Sequence, residues 1–521
     1  MVQTTANPVS GSKAWLVVTA ACLGTSVVAY NSNAVITALL AIKSSLDLEP
    51  QTVQWVVNAY MLASAALIAV MGRFADIFGK LRIFLIGTAI FAAGSLIIVF
   101  AEAGWMVLLG RLCQGMGGAA IFTVSAALIS VATVEEKRAA ALGLWSASIG
   151  FGYGVGPLIG GYLADSVSWR GIFVVDILVL AIAALLGFRV LKLGLIREKR
   201  DPDVKVDYWG VALLVVTLGT LVYGLTNGHR AGWTSLQTFA LFGTALLGAF
   251  LFALQERRAP DPLVYFSFFR HGRYIAATFG MFVTGFLFLG VLYFYNLFAQ
   301  SPGALDFTPF EAGFSMLPFT LAMFVVSLIA PRLLAPYSFH WPVTIGMITL
   351  TAGAWLMHYT TDQSSYWELW WKLAILGTGI GLNLSTLPRV GLRALPDESA
   401  GQGSGVISTC LYIGIAMGIA AGGVVTAYIT RSFIAPAVQS LTQGSTDTRA
   451  LEMALTHGSQ NQIERIVSQF SPEDAERIRT AMQDSLDNAY AGVMEMMALL
   501  ALVGAVVCFF AIRGAVPKKD A

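Results

Sequence analysis

The chain reads as an all-α polytopic membrane protein, and three observations carry that reading. It is 56% apolar and 12% charged with a mean hydropathy of +0.71, more apolar surface than a soluble core absorbs. Charge-free runs such as Ala14 to Ile42 recur toward the C-terminus, each long enough to cross roughly 30 Å of hydrocarbon as a helix. The basic residues fall in short loops rather than in one patch, so the net charge of +2 gives no argument for nucleic acid.

Fourteen spans are expected, centred near residues 29, 62, 92, 122, 152, 182, 218, 245, 286, 322, 350, 379, 416 and 501. Residues 1–13 form an N-terminal tail, and the apolar run behind it is too long for a signal-peptide core, which predicts an uncleaved first span. Residues 14–193 make a first bundle of six helices. The stretch "KLGLIREKRDPDVKVDYW" then breaks the apolar pattern, so 194–206 is a linker. Two inserted spans follow at 207–256, then a second basic loop at 257–273, and 274–512 makes a second six-helix bundle before a tail at 513–521. Within that bundle, 432–487 is expected to be an outward helical hairpin. Ile463, Ile466, Val467 and Phe470 have helical spacing there, and Ser471, Pro472 and Asp474 supply the N-cap, N1 proline and third-position acid of a new helix.

An even span count puts both termini on one side. Lys80, Arg82, Lys137, Arg138, Arg257 and Arg258 crowd loops on that side, while Lys43, Arg170 and Arg230 are sparse on the other, which predicts cytoplasmic termini in a plasma (inner) membrane. Cys22, Cys113, Cys410 and Cys508 all fall inside spans, as packing residues rather than a disulfide framework or metal site. No nucleophile with its base, metal-ligand cluster or phosphate loop appears, so neither an enzyme nor a cofactor is expected.

The loop after span 2 reads "GRFADIFGKLR". Gly72 and Gly79 allow a tight turn, Asp76 can cap the next helix or pair with a base, and Lys80 holds the loop in the cytoplasm. This resembles the signature G-x-L-A-D-x-x-G-[RK]-[RK] of the major facilitator superfamily, with Phe74 at its Leu and Leu81 at one basic position. In span 5, Gly143, Gly152, Gly156, Pro157, Gly160 and Gly161 reproduce the pattern G-x8-G-x3-G-P-x2-G-G, similar to that of the antiporter subset, where it shapes a hinge between halves. Span 4 carries "RLCQGMGGA", which resembles the R-x-x-Q-G element. Its Arg111 either faces a cavity or acid inside the bundle or snorkels to the outer headgroups. With "SWRGIF" and "QWVVNAYMLASAAL", these motifs resemble the fourteen-span drug:proton antiporter family of quaternary-ammonium and multidrug exporters. The likeness is dense over residues 28–180 and diffuse afterwards.

Span 1 departs from that family. Where the resemblance implies D-x-T-x-x-N-x-A-L-P, this chain has Asn31 for the Asp and Asn33 for the Thr, and an amide cannot exchange a proton. The proton-coupling candidates are then Asp176, about two turns into span 6, and Glu495, near the outer end of span 14, with Arg111 as the cation. Each acid has a second reading, in which it faces outer water or pairs with a base.

Thr19, Ser26, Tyr30, Asn33 and Thr37 lie within about 60° of one another around the helix, while Asn31 is about 160° from Asn33. Tyr30, Asn33 and Thr37 are expected to face substrate while Asn31 bonds a neighbouring helix; in the alternative, both amides bridge helices. Span 9 adds Tyr293 and Asn296 to the candidate cavity, within an aromatic wall suited to bulky, apolar or cationic molecules, unless those rings anchor at the membrane interface. Asn383 in span 12 joins them by family position.

The expected function is an exporter of amphipathic or cationic small molecules working by alternating access, with proton antiport as the family's default. A facilitator of lipid or lipid-like metabolite movement is the second reading. The third is a non-transporting sensor or assembly platform whose hairpin docks a periplasmic adaptor. Membrane lipids are partners under all three.

Overall fold

The computed structural model describes residues 11–196, 206–260, 262–333, 340–396, 399–442 and 465–512. The expected N- and C-terminal tails, most of the linker and the middle of the hairpin lie largely or wholly outside the described residues.

Each expected centre falls in a helix. The first half contains α1 (Gly11–Thr37), the short α2 (Leu39–Leu46), α3 (Pro50–Phe78), α4 (Lys80–Val99), α5 (Gly104–Ala132), α6 (Glu135–Ser166) and α7 (Gly171–Lys192). The inserted pair is α8 (Tyr208–Ala231) and α9 (Leu236–Arg258). The second half contains α10 (Gly272–Gln300), α11 (Pro309–Ser315), α12 (Leu317–Leu333), α13 (His340–His358), α14 (Tyr366–Leu392), α15 (Ala400–Thr442) and α16 (Pro472–Ile512). Among the described residues, 11 helices are long and apolar enough to span a membrane unaided, and up to 12 if α3, bent by 53°, counts as one span.

Local chemistry fixes the helix ends. Gly79, at φ 99°, makes the break between α3 and α4 that a side chain would strain, and Lys80 pairs back across it to Asp76 at 3.3 Å. Thr308 and Glu311 form a capping box around Pro309 at the start of α11. Ser471 accepts from the Asp474 backbone at 3.2 Å, so the cap legible in the sequence starts α16. A small apolar cluster of Ile434, Val467, Ala475 and Ile478 ties that start to the far part of α15.

One end of the bundle carries Lys80, Lys137, Arg189 and Arg257 and is called the basic end below. In its other part the two halves meet directly. Gly161 of α6 lies against the Pro309 carbonyl, and Gly313 of α11 against the Pro157 carbonyl, so neither position has room for a side chain. Gln300 of α10 donates to the Thr37 carbonyl of α1 at 2.8 Å. On the other flank α3 packs on α15, where Gln54 lies against Gly423 and Thr409 donates to the Ala65 carbonyl at 3.4 Å. The inserted helix α8 packs on both α3 and α15, with Trp55 and Tyr223 rings 6.0 Å apart.

Candidate functional site

Asp176 is the centre of a buried polar network within the first half. Its position on α7 faces α1, α4 and α5, and it is fully buried. Its Oδ2 accepts from Asn31 Nδ2 at 2.7 Å, from Ser95 Oγ at 3.3 Å and from Gln114 Nε2 at 3.3 Å. Gln114 also donates to Ser95 Oγ at 2.8 Å.

Arg111 closes the network from α5. Its Nη1 donates to Asn31 Oδ1 and, at 2.8 Å, to Gln114 Oε1, and its Nε donates to the Val56 carbonyl at 2.8 Å. The guanidinium lies 4.3 Å from the Tyr60 ring centroid, a cation–π contact that offsets part of the cost of burying a charge. Full burial removes the snorkelling alternative for Arg111. Asn31 therefore stands between cation and acid, donating to one and accepting from the other. Two polar atoms, Arg111 Nη2 and Asp176 Oδ1, are buried with no partner among the described residues.

The angular separation of Asn31 from Asn33 has its structural counterpart. Asn31 turns to α5 and α7, whereas Asn33 donates to the Tyr153 carbonyl of α6 at 3.0 Å. Ser26 likewise donates to the Ser148 carbonyl of α6 at 2.9 Å. Hence the polar stripe of α1, expected to face substrate, is largely the seam with α6, and helix bridging accounts for its hydrogen bonds. Gly152, Gly156 and Gly160 create that seam: side chains there would run into Ser26, Tyr30 and Ala34 backbone. Gly143 has open space instead. Tyr30 Oη and Asn33 Oδ1 stay buried and unpartnered among the described residues, and Thr37 bonds its own helix at Ala34 O, 2.8 Å.

The remaining candidates are dispersed. Asn296 Oδ1 accepts from Gln300 at 3.0 Å and its Nδ2 is unpartnered; Tyr293 is buried edge-on to Phe294 at 4.9 Å. Tyr153 of α6 meets Phe288 of α10 edge-on at 5.2 Å, and Phe288 stacks on Phe319 at 6.2 Å, so aromatic rings join the halves. Asn383 packs against Gly346 of α13, inside the second half. Glu495 is exposed on α16 and takes no part in the buried network. Gln114 belongs to the R-x-x-Q-G element and Tyr60 to "QWVVNAYMLASAAL", but neither carries a site role in the sequence reading, and Ser95 lies outside every motif in it. Gln114 had a signal, standing one helical turn from Arg111; a lone serine in an apolar run had none.

The profile of the Major Facilitator Superfamily matches residues 21–419. The chain belongs to the Major Facilitator Superfamily. The multidrug resistance protein Stp of Mycobacterium tuberculosis (strain CDC 1551 / Oshkosh) is 33% identical over 396 residues, 75% of this chain and 72% of that protein. The tetracenomycin C resistance and export protein of Streptomyces glaucescens is 30% identical over 425 residues, covering 81% and 78%. The methylenomycin A resistance protein of Bacillus subtilis (strain 168) is 28% identical over 390 residues, covering 74% and 82%. Among solved structures, an inward-facing, unoccupied bacterial homolog of the human lysosomal transporter Spinster superposes with a TM-score of 0.63 over 97% of this chain and 98% of that one, at 14% identity. That likeness speaks for the facilitator fold. The superfamily membership and these relatives make this chain a multi-span membrane transporter and not an enzyme.

Proposed function

We propose that this facilitator exports amphipathic or cationic small molecules in exchange for protons, with Asp176 as the proton-carrying group. The observation that carries the coupling is the Arg111–Asn31–Asp176 chain. An ionised Asp176 draws strongly on the Asn31 amide, which in turn presents its oxygen to Arg111. A proton on Asp176 weakens the first bond and thereby the second, so Arg111 is held less tightly from the α1 side. Asp176 Oδ1, buried and without a partner among the described residues, is the oxygen available to take that proton.

Relatives named for multidrug resistance and antibiotic export support the outward direction and the substrate class. Within this reading Tyr30, Asn33 and Asn296 offer buried unpartnered polar atoms to a substrate held between the halves, with Phe288 and Tyr293 as ring surfaces. Alternation rocks the halves about α6, where Pro157 and the glycine seam sit.

The test is dye efflux from right-side-out membrane vesicles loaded with a lipophilic phenanthridinium cation. Efflux should stop when the pH gradient is collapsed and should be lost at least tenfold in Asp176→Asn, while dye binding persists. Undiminished, still pH-sensitive efflux in Asp176→Asn removes that residue from the mechanism. Efflux indifferent to gradients in the wild type favours facilitated movement of lipid-like molecules instead.

A further inference from the structure

A second pair of buried carboxyl groups lies at the basic end, outside the network of Asp176. Asp207 caps α8: its Oδ1 accepts from the Gly210 backbone at 2.8 Å and from Gln255 Nε2 at 2.9 Å. Glu256, in the last turn of α9, accepts from the Val264 backbone through Oε2 at 2.9 Å. Each carboxyl therefore has one oxygen engaged and one left over. The leftover atoms, Asp207 Oδ2 and Glu256 Oε1, are buried and have no partner among the described residues. The side chains are only 8% and 3% exposed. Both oxygens converge on Gly210, where an added methyl group would lie 2.7 Å from Asp207 Oδ2 and 2.8 Å from Glu256 Oε1.

Two buried carboxylates that face the same glycine repel when both are ionised, and a single proton on the pair removes most of that cost. Among the described residues no third acid, histidine or cysteine joins them to hold a metal ion. The cation acting on Glu256 is Arg73 of α3, which donates to the Pro262 carbonyl at 2.7 Å. Arg257 of the same α9 turn is over the Phe266 ring at 5.8 Å.

We propose that Asp207 and Glu256 form a proton-binding site, holding one shared hydrogen at neutral pH. The site is independent of the role given to Asp176. Its consequence runs through residues 262–264, which Arg73 grips from α3 and Glu256 from α9, just ahead of α10. Loss of the shared proton places two charges between the start of α8 and the end of α9, and their repulsion pushes apart the two helix ends beside the strap that links the inserted pair to the first helix of the second half.

The experiment is infrared spectroscopy of the full-length Asp176→Asn protein in lipid nanodiscs, a background that removes the other buried acid among the described residues. A carboxylic acid carbonyl band that shifts in heavy water should be present at neutral pH. It should lose one carboxyl equivalent in Glu256→Gln and also in Asp207→Asn, because either change lets the surviving partner ionise. Loss in only one variant means an acid neutralised by burial alone, and loss in neither means an ionised pair; both overturn the shared proton. Disappearance of the band on adding magnesium or calcium chloride overturns it in favour of a cation site. The Asp207→Asn, Glu256→Gln double variant guards against misfolding as an explanation. It should melt like the parent at neutral pH and gain on it as the pH rises, and parallel melting curves at all pH values count against the proposal.

Discussion

Asn31 is the residue on which the buried network turns. An amide both donates and accepts, so it can satisfy a carboxylate on one side and a guanidinium on the other, which neither an ionised acid nor an apolar residue does. Asn31→Leu should therefore destabilise the protein by about 2–5 kcal/mol, since it leaves a buried cation and a buried acid short of partners. Thermal unfolding in detergent checks this, and an unchanged melting temperature would remove the link from the account. The sequence showed this site incompletely, for a physical reason. Helical angles separated Asn31 from Asn33, because periodicity is a property of one helix. Which helices those faces meet is a property of packing, and so the parts played by Ser95 and Tyr60 were invisible, and it is Ser26 and Asn33 of the polar stripe that bond α6.

The glycine pattern of α6 behaves as an element with parts of unequal weight. Gly156 and Gly160 lie against α1: a methyl group on Gly156 would come within 2.9 Å of the Tyr30 carbonyl, and one on Gly160 within 2.7 Å of Thr37 Oγ1. Nothing lies within 4 Å of the equivalent point at Gly143. Gly156→Ala and Gly160→Ala should each cost about 1–3 kcal/mol through overpacking. Gly143→Ala should be neutral or stabilise by up to about 1 kcal/mol. Melting temperatures of the three variants decide the matter, and equal losses at all three would refute the assignment. At this scale sequence served well for the long helices, whose apolar runs are their own signal. It did not show that span 1 breaks at Ala38 into α2, or that span 10 divides into α11 and α12, because such breaks answer to neighbouring helices.

For the whole molecule, the direct contacts between halves away from the basic end describe one closed gate. Gln300 to Thr37, Gly313 to Pro157 and Gly161 to Pro309 would all have to part if the halves rock. A short reversible crosslinker joining Thr37→Cys and Gln300→Cys, in a chain without its four native cysteines, should abolish dye efflux, and reduction should restore it. Full efflux from the crosslinked protein would mean that this gate does not open during transport.

The position of α8 gives the molecule two different sides. It lies across the flank where α3 meets α15, whereas on the opposite flank α6 meets α11 and α12 without either inserted helix packing extensively over them among the described residues. A molecule dissolved in the bilayer and drifting toward the central seam thus finds one approach shielded by an extra helix and one unshielded. Were membrane-soluble compounds to reach the space between the halves from the lipid, they would enter from the side of α6 and α12, where α8 does not intervene.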